Sequence, residues 1–272
     1  MSNLSALKNA AWVVSQIRNW PRFALNWAGM LREAETTYLL RSGQSLRMRN
    51  RTTDFLILFE IFRRKDYIRR DSPIQAGSSV LEIGAHIGLF TVFVSRIISG
   101  GKCVVYEPHP DNYRLLMENL GLNRLSDVVA YRKAVAAESG QISFYESPDN
   151  TGGHSIVPDK RQASRLVDAV NLEEAVAEFG APGVDFLKVD CEGAEHDIFQ
   201  SADIATLRKI RYIAMEVHET AGYSIAHMHT LLKSRGYEVT QPYPLPQSSS
   251  RRHPVGDDNA GAVRMVFAKR VR

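Results

Sequence analysis

Two patterns of apolar residues divide the chain near residue 70. In residues 1–70, apolar side chains recur every three or four positions, the spacing of one helix face. The stripes they form contain Val13, Ile17, Trp20, Ala24, Trp27, Leu31 and Ala34, and then Phe55, Leu56, Phe59, Phe62 and Ile68. Pro21 interrupts the first stripe, which predicts two helices with proline in the first turn of the second. We therefore expect a helical N-terminal extension over residues 1–70.

From residue 77 onward, short β-rich apolar runs alternate with helical stretches. This order predicts βαβ units and an α/β fold with a mainly parallel seven-stranded sheet and helices on both faces. The runs read as strands are 79–83, 103–107, 128–131, 185–190, 212–218, 236–240 and 262–269. Residues 241–261 are rich in Pro, Ser, Gly and charge, which predicts a mobile loop. The expected organisation is the extension followed by one domain, 71–272.

Cysteine use and hydropathy indicate the compartment. Cys103 and Cys191 stand far apart and form no metal-binding or disulfide spacing, which favours a reducing environment. No apolar run approaches the roughly 18 residues of a transmembrane helix. The beginning of the chain also lacks the pattern of a signal peptide. We therefore expect a cytoplasmic protein.

Charge is distributed unevenly along the chain. Residues 1–70 hold 13 Lys and Arg against 5 Asp and Glu, whereas residues 71–272 hold 21 against 25. The three tryptophans all lie in the basic part, close to Lys8, Arg18, Arg22 and Arg32. These helices either pack on the main domain, the commoner arrangement, or rest on a membrane surface through residues 8–34. The mildly acidic domain argues against a nucleic-acid partner.

The first strand of the domain runs into a glycine turn, with the sequence LEIGAHIG at residues 81–88. Its G-x-x-x-G spacing differs from the G-x-G-x-x-G that places a pyrophosphate on a helix N-terminus. The turn suits a ligand without phosphate, such as S-adenosylmethionine, held by its amino-acid and ribose portions. The predicted contacts from this segment are Glu82, Gly84, Ala85, His86 and Gly88.

The second strand ends at Glu107 and Pro108. Glu107 lies 23 positions after Gly84. A carboxylate at this strand tip suits a bidentate bond to vicinal ribose hydroxyls. The alternative is that Glu107 stabilises the start of the next helix. Taken with the glycine turn, Glu107 and Pro108 complete the predicted cofactor-binding set.

These motifs, in this order, resemble the FkbM family of methyltransferases. The resemblance rests on residues 81–88, on Tyr106-Glu107-Pro108 and on LKVDCEGAE at 187–195, with support from GGHSI at 152–156 and EVH at 216–218. It covers roughly residues 53–240. It implies a Rossmann-like class I methyltransferase fold, S-adenosylmethionine as donor, and usually O-methylation of sugars, polyketides or related metabolites. Glu82 and His86 stand where the family more often has Asp and Asn.

Acceptor chemistry is expected at the tips of the fourth and fifth strands, because ligands of open α/β sheets bind beyond the carboxyl ends of the strands. An alcohol needs a base to remove its proton. The candidates are His218, Asp190, Glu192 and Lys188, with His218 preferred. Asp190, Glu216 and His218 could instead hold a divalent cation such as Mg²⁺, which would lower the pKa of the acceptor.

Rival activities are separated by the residues that follow the fourth strand. Enzymes that methylate nucleic-acid bases typically carry Asn/Asp-Pro-Pro-aromatic there, whereas this chain has DCEG at 190–193. A small-molecule N-methyltransferase and a non-catalytic module that only binds S-adenosylmethionine stay open as alternatives. The favoured hypothesis is an O-methyltransferase that acts on a small-molecule or glycan hydroxyl.

Overall fold

The computed structural model of the chain describes residues 3–146, 154–156, 163–219, 222–240, 243–244 and 263–271. The predicted mobile loop, 241–261, lies outside these residues except at 243–244.

The described part of the chain contains thirteen strands, nine α-helices and one π-helix. The strands are β1 Glu35–Leu39, β2 Ser45–Arg49, β3 Val80–Ile83, β4 Cys103–Tyr106, β5 Val128–Tyr131, β6 Ala134–Val135, β7 Gly140–Glu146, β8 Ala163–Val170, β9 Phe186–Val189, β10 Tyr212–His218, β11 Tyr237–Val239, β12 Tyr243–Pro244 and β13 Val263–Arg270. The helices are α1 Asn3–Gln16, α2 Trp20–Trp27, α3 Asp54–Leu58, α4 Leu89–Ser95, α5 Pro110–Leu122, α6 Leu172–Ala177, α7 Glu195–Ser201, α8 Ile204–Leu207 and α9 Ile225–Ser234. No helix in this part of the chain has the length and hydropathy to cross a bilayer.

A mainly parallel sheet forms the centre of the protein. Its seven strands run in the order β11-β13-β10-β9-β3-β4-β5, and β12 pairs with β13 beside them. Strands β10, β9, β3, β4 and β5 are parallel, and β13 is antiparallel to its neighbours. The seven predicted strands and their α/β arrangement are therefore confirmed. The chain leaves β3 toward β4 on one side and returns as β9 on the other, so a crevice opens beyond these tips.

Successive side chains of the central strands point to opposite faces of the sheet, so the apolar core has one part on each face. Val80 faces a core that includes α4 and α5, whereas its neighbour Leu81 faces the core under α7 and α9. The N-terminal helices belong to the first core, where Val13, Ile17 and Phe23 are buried. Trp12 and Phe23 contact the ring of Phe59, and Phe23 also contacts Tyr38, so these helices pack within this core against other residues of the N-terminal part.

The expectation that residues 1–70 are wholly helical is wrong in one segment. Residues 35–49 form the antiparallel hairpin β1–β2, which pairs Glu35 with Arg49 and Leu39 with Ser45. Side chains in both strands alternate between buried and partly exposed positions, which is the period of a strand. A small sheet of order β6-β8-β7 was also not anticipated.

The helix that carries the second apolar stripe, which begins at Phe55, changes its winding halfway. Helix α3 continues into a π-helix, Phe59–Arg64, and ends where Lys65 adopts φ 56°. The amide of Asp66 donates to the carbonyl of Glu60. This wider turn places Tyr67 beside the tips of β9 and β10.

Candidate active site

The glycine turn after β3 packs directly against the tip of β9. Gly84 has φ 78°, and a Cβ there would lie 1.8 Å from the carbonyl oxygen of Asp190. Gly88 has φ 81°, and its Cβ would lie 2.5 Å from Cδ1 of Leu116 on α5. Ala85 is buried and its amide donates to the carbonyl of Tyr106. The turn therefore needs its glycines for contacts within the protein.

A buried ion pair fixes this turn. Lys188 is 4% exposed, and its Nζ donates to the carbonyl of Gly84 at 2.7 Å. The same Nζ lies 3.5 Å from Glu82 Oε1 and 3.6 Å from Asp190 Oδ2. Glu82 also accepts from the hydroxyl of Thr91, and burial raises the pKa of Glu82 to about 7. Both Glu82 and Lys188 thus orient neighbouring groups from inside the fold.

Glu107 lies at the tip of β4, where the sequence placed it. Its Oε2 accepts from the backbone amide of His86 at 2.7 Å. Its Oε1 accepts from the amide of His109 at 2.9 Å and from the side chain of Asn112 at 3.3 Å. A carboxylate can accept about four hydrogen bonds, so these three leave Oε2 with capacity for a further donor. Burial raises the pKa of Glu107, and Pro108 beside it is half-buried.

His86 connects this turn to the N-terminal part of the chain. Its Nε2 lies 2.8 Å from the guanidinium of Arg49, at the end of β2. Arg49 also donates to both carboxylate oxygens of Asp54, at 3.1 and 3.0 Å. Burial lowers the pKa of His86 to about 4, so the ring is neutral at pH 7. His86 has φ 52°, a conformation that few non-glycine residues adopt.

The tips of β9 and β10 bring a second polar group together. Asp190 Oδ2 accepts from the hydroxyl of Tyr67 at 2.7 Å, and the same hydroxyl lies 3.2 Å from Glu216 Oε2. The Nζ of Lys188 lies 5.1 Å from the centre of the Tyr67 ring. Glu216 is 1% exposed, whereas the side chain of Asp190 is 24% exposed. Asp190 is therefore the member of this group that can reach a ligand.

His218 lies between two carboxylates at the end of β10. Its Nδ1 is 3.1 Å from Glu195 Oε1, and its Nε2 is 3.1 Å from Glu192 Oε2. Burial alone would lower the pKa of His218, but the charges of Glu192 and Glu195 outweigh it and hold that pKa well above 6.5. Both ring nitrogens are thus engaged, and the ring is the charged partner of its neighbours. Glu192 has φ 55°, a strained backbone of the kind found at functional sites.

Three of these side chains could hold a cation. One ligand atom each from Asp190, Glu192 and His218 lies within 4.8 Å of the others. The sequence-based set had Glu216 in place of Glu192. Glu216 Oε1 lies 3.7 Å from His218 Nε2 and deeper in the protein.

Residues 154–156, between β7 and β8, lie beside the same crevice. The ring of His154 stacks on the ring of His109 with centroids 4.2 Å apart. Ser155 pairs with Tyr145 through backbone hydrogen bonds, and its hydroxyl donates to the carbonyl of Glu192. Burial lowers the pKa of His154 to about 3, so this ring is neutral. His154 and Ser155 thus connect the donor-side residue His109 with Glu192 beyond the β9 tip.

Two residues near the sheet tips were not assigned to the site from the sequence. Arg49 lies 37 positions before His86, and Tyr67 lies 123 positions before Asp190. Only the folded arrangement of the N-terminal part brings them to the sheet tips. The alternating pattern of SLRMR at 45–49 was a signal for a strand, and it would have placed Arg49 at a strand end.

Comparison with known proteins gives this arrangement a family context. The family described as the methyltransferase FkbM domain matches residues 82–239. The 31-O-demethyl-FK506 methyltransferase FkbM of Streptomyces tacrolimicus is 26% identical over 212 residues, which cover 66% of this chain and 80% of that protein. Methyltransferase sdnD of Sordaria araneosa is 26% identical over 193 residues, which cover 60% of this chain and 74% of that protein.

A solved structure supports the fold. A Streptococcus mutans protein, assigned as an S-adenosylmethionine-dependent methyltransferase, matches this chain with a TM-score of 0.50 and 10% identity. The match covers 88% of this chain and 56% of that one. The fold is the Rossmann-like fold of class I methyltransferases.

Proposed function

Because this chain belongs to the FkbM methyltransferase family, and is thus a methyltransferase, we propose that it moves the methyl group of S-adenosylmethionine to a hydroxyl oxygen of a small-molecule acceptor. The observation that carries this proposal is the pairing of two polar groups at one sheet edge. One group surrounds Glu107 and His86 at the tips of β3 and β4, and the other surrounds Asp190 and His218 at the tips of β9 and β10. The first suits a donor and the second an acceptor.

The donor side has polar atoms that fit S-adenosylmethionine. Oε2 of Glu107 can still accept from a ribose hydroxyl. Nδ1 of His86 is buried and has no hydrogen-bond partner among the described residues. A buried donor without a partner costs about 1–3 kcal/mol, which a ligand oxygen would recover. When bound, the cosubstrate supplies a methyl group activated by its sulfonium.

The acceptor side supplies a place for the hydroxyl proton. Methyl transfer breaks the sulfur–methyl bond, forms a carbon–oxygen bond, and releases the proton of the acceptor. Glu192 and Asp190 are the partly exposed carboxylates at this point, at 25% and 24% side-chain exposure. We assign proton removal to Glu192, with Asp190 orienting the hydroxyl, because Tyr67 and Lys188 already stabilise the charge of Asp190. His218, the base preferred from sequence, then holds Glu192 in place.

A divalent cation is the second candidate for activating the acceptor. The cluster of Asp190, Glu192 and His218 supports it. Two carboxylates and an imidazole suit a transition metal such as Mn²⁺ or Zn²⁺ better than Mg²⁺, which prefers oxygen ligands alone. Glu216, from the earlier set, would contribute only if its buried side chain turned. Activity that survives EDTA and does not rise with added Mn²⁺ would exclude this route.

The family and the N-terminal helices support a proposal for the class of acceptor. The name of the Streptomyces tacrolimicus relative describes an O-demethylated substrate of that protein, which favours a hydroxyl on a secondary metabolite or a sugar. A glycan acceptor on a lipid would suit membrane contact through residues 8–34, where Trp20 and Trp27 remain 39% and 50% exposed. Sedimentation with anionic vesicles tests that contact, and a protein left in the supernatant would exclude it.

Calorimetry of S-adenosylmethionine binding to wild type and to Glu107→Ala is the first test. We expect the substitution to weaken binding tenfold or more, which is about 1.4 kcal/mol. Methyl-tritiated S-adenosylmethionine and a panel of glycosides and macrolide alcohols then test transfer. Label in an ether product supports O-methylation, and label only in an amine product supports the N-methyltransferase alternative. Binding without transfer to any acceptor would favour the non-catalytic module, and no binding by folded wild type would exclude the proposal.

A further inference from the structure

The N-terminal hairpin reaches the donor side of the site through one cation. Arg49, the last residue of β2, donates with Nε and one terminal nitrogen to Asp54, and with the same terminal nitrogen to Nε2 of His86. The carboxylate of Asp54 is fully buried, and it also accepts from the backbone amide of Arg49 at 2.9 Å. The guanidinium is thus fixed from one side and directed at the His86 ring on the other.

This contact determines which nitrogen of His86 carries the proton. A guanidinium only donates hydrogen bonds and keeps its charge at any ordinary pH. Nε2 of His86 must therefore be the acceptor, and a neutral ring then carries its proton on Nδ1. The low pKa of His86, about 4, agrees with a neutral ring.

The proton-bearing nitrogen is the one that lacks a partner. Nδ1 of His86 is buried and finds no acceptor among the described residues. The backbone amide of the same residue donates to Glu107, on the carboxylate oxygen that retains capacity for a ligand. His86 therefore places a directed N–H in the turn that carries the proposed donor site.

We propose that Arg49 and Asp54 are positioning residues that hold His86 with its proton on Nδ1, so that this N–H donates to an oxygen of the bound methyl donor. The inference rests on the proposed function and extends the donor site to the N-terminal hairpin. It also explains a strained backbone at His86, because the left-handed conformation brings the ring to Arg49 while the amide stays on Glu107.

A double-mutant cycle tests the coupling, with S-adenosylhomocysteine as the probe and calorimetry as the measurement. In the chain that keeps His86, we expect Arg49→Met to weaken the binding of S-adenosylhomocysteine at least tenfold. In the His86→Asn background we expect Arg49→Met to change binding less than twofold, because an amide offers its N–H without help from the guanidinium. Arg47→Met is the matched control, since Arg47 lies in the same strand and pairs with Glu35 and Glu118 instead.

A second readout does not depend on a ligand. ¹⁵N chemical shifts of the His86 ring report the tautomer directly, and we expect protonation at Nδ1 in wild type and a mixture in Arg49→Met. If Arg49→Met does not fold, Arg49→Lys replaces it, because an ammonium cannot hold both partners in the planar geometry of a guanidinium.

The outcomes separate this inference from the proposed function. Binding that Glu107→Ala weakens and Arg49→Met does not would overturn the inference alone. An Nε2–H tautomer in wild type, or an equal effect of Arg49→Met in both backgrounds, would also overturn it and leave Arg49 a structural residue. No binding by folded wild type would overturn both proposals.

Discussion

At the residue scale, the site is governed by which groups already have partners. His218, Asp190 and Lys188 were chosen from sequence because their residue types can move protons at strand tips. In the structure, Lys188 is buried on Gly84, and His218 is held at both nitrogens. Residue type and strand position could be read from the sequence, but the partners come from helices and loops distant in the chain.

Glu192 and Glu195 flank the same imidazole, so they form a matched pair for mutation. We expect Glu192→Gln to lower turnover by about 10²–10⁴-fold, the usual contribution of a general base, and to leave S-adenosylhomocysteine affinity within threefold of wild type. Glu195 is fully buried and accepts from the amides of Cys191 and Gly193. Glu195→Gln should therefore lower the melting temperature, unlike Glu192→Gln. Full turnover by the Glu192→Gln variant would show that Glu192 is not the general base.

The buried carboxyl of Glu82 predicts a pH dependence of stability. In the unfolded chain it ionises near its ordinary pKa of 4.5, and in the fold near 7. Between these values the folded state keeps a proton that the unfolded state has lost, so this group's contribution to stability falls as pH rises from 4.5 to 7. Glu82→Gln removes this effect.

Urea denaturation of wild type and Glu82→Gln at pH 5 and pH 8 measures it. The free energy of unfolding of the variant, relative to wild type, should rise by about 1–3 kcal/mol between the two pH values. A constant difference would show that Lys188 keeps the Glu82 carboxylate ionised throughout.

At the element scale, the central strands were predictable because each is a short buried run bounded by turn residues. The β1–β2 hairpin was not, since its apolar residues are few and its neighbours on both sides are helical. Tyr38, Leu46 and Met48 alternate with polar residues. That two-residue period is hard to separate from a helical one in so short a segment. The π-helix before Tyr67 leaves no distinct sequence pattern at all.

The two glycines of the turn after β3 should differ in tolerance to alanine. Both have positive φ, which costs a non-glycine residue about 1–2 kcal/mol. The Cβ of Gly84→Ala would also meet backbone at Asp190, whereas that of Gly88→Ala would meet the end of the flexible Leu116 side chain. We expect a loss of more than about 3 kcal/mol for Gly84→Ala and about 1–2 kcal/mol for Gly88→Ala in urea denaturation. Equal losses would mean that the β9 tip moves aside.

At the scale of the whole molecule, the N-terminal part and the sheet share one apolar core. Ile17 and Tyr38 are fully buried, and they belong to the same cluster as Val105 and Phe267 of the central sheet. The sequence suggested an extension at 1–70 attached to a domain at 71–272. That boundary marks a change of pattern along the chain, and the shared core crosses it.

Removal of residues 1–70 tests whether the predicted domain can exist alone. We expect the truncated chain to lose its cooperative melting transition and its affinity for S-adenosylhomocysteine, because part of the core on one face of the sheet is uncovered and Arg49 and Tyr67 are lost. Circular dichroism and calorimetry measure the two properties. Addition of a separate 1–70 peptide serves as the control for specific packing. A truncated chain that melts cooperatively and binds would establish 71–272 as an independent domain.

The pairing of β3 with both β4 and β9 also sets an order of assembly. Val80 pairs with Cys103, 23 positions later, but its partner on the other side is Phe186, more than a hundred positions away. Contacts of short sequence separation close sooner than distant ones, and a growing chain makes β4 well before β9. We expect pulsed hydrogen exchange during refolding to protect β4 before β9, and the reverse order would contradict this. The half of the site that surrounds Glu107 would then exist, in the life of each molecule, before the half that surrounds Asp190.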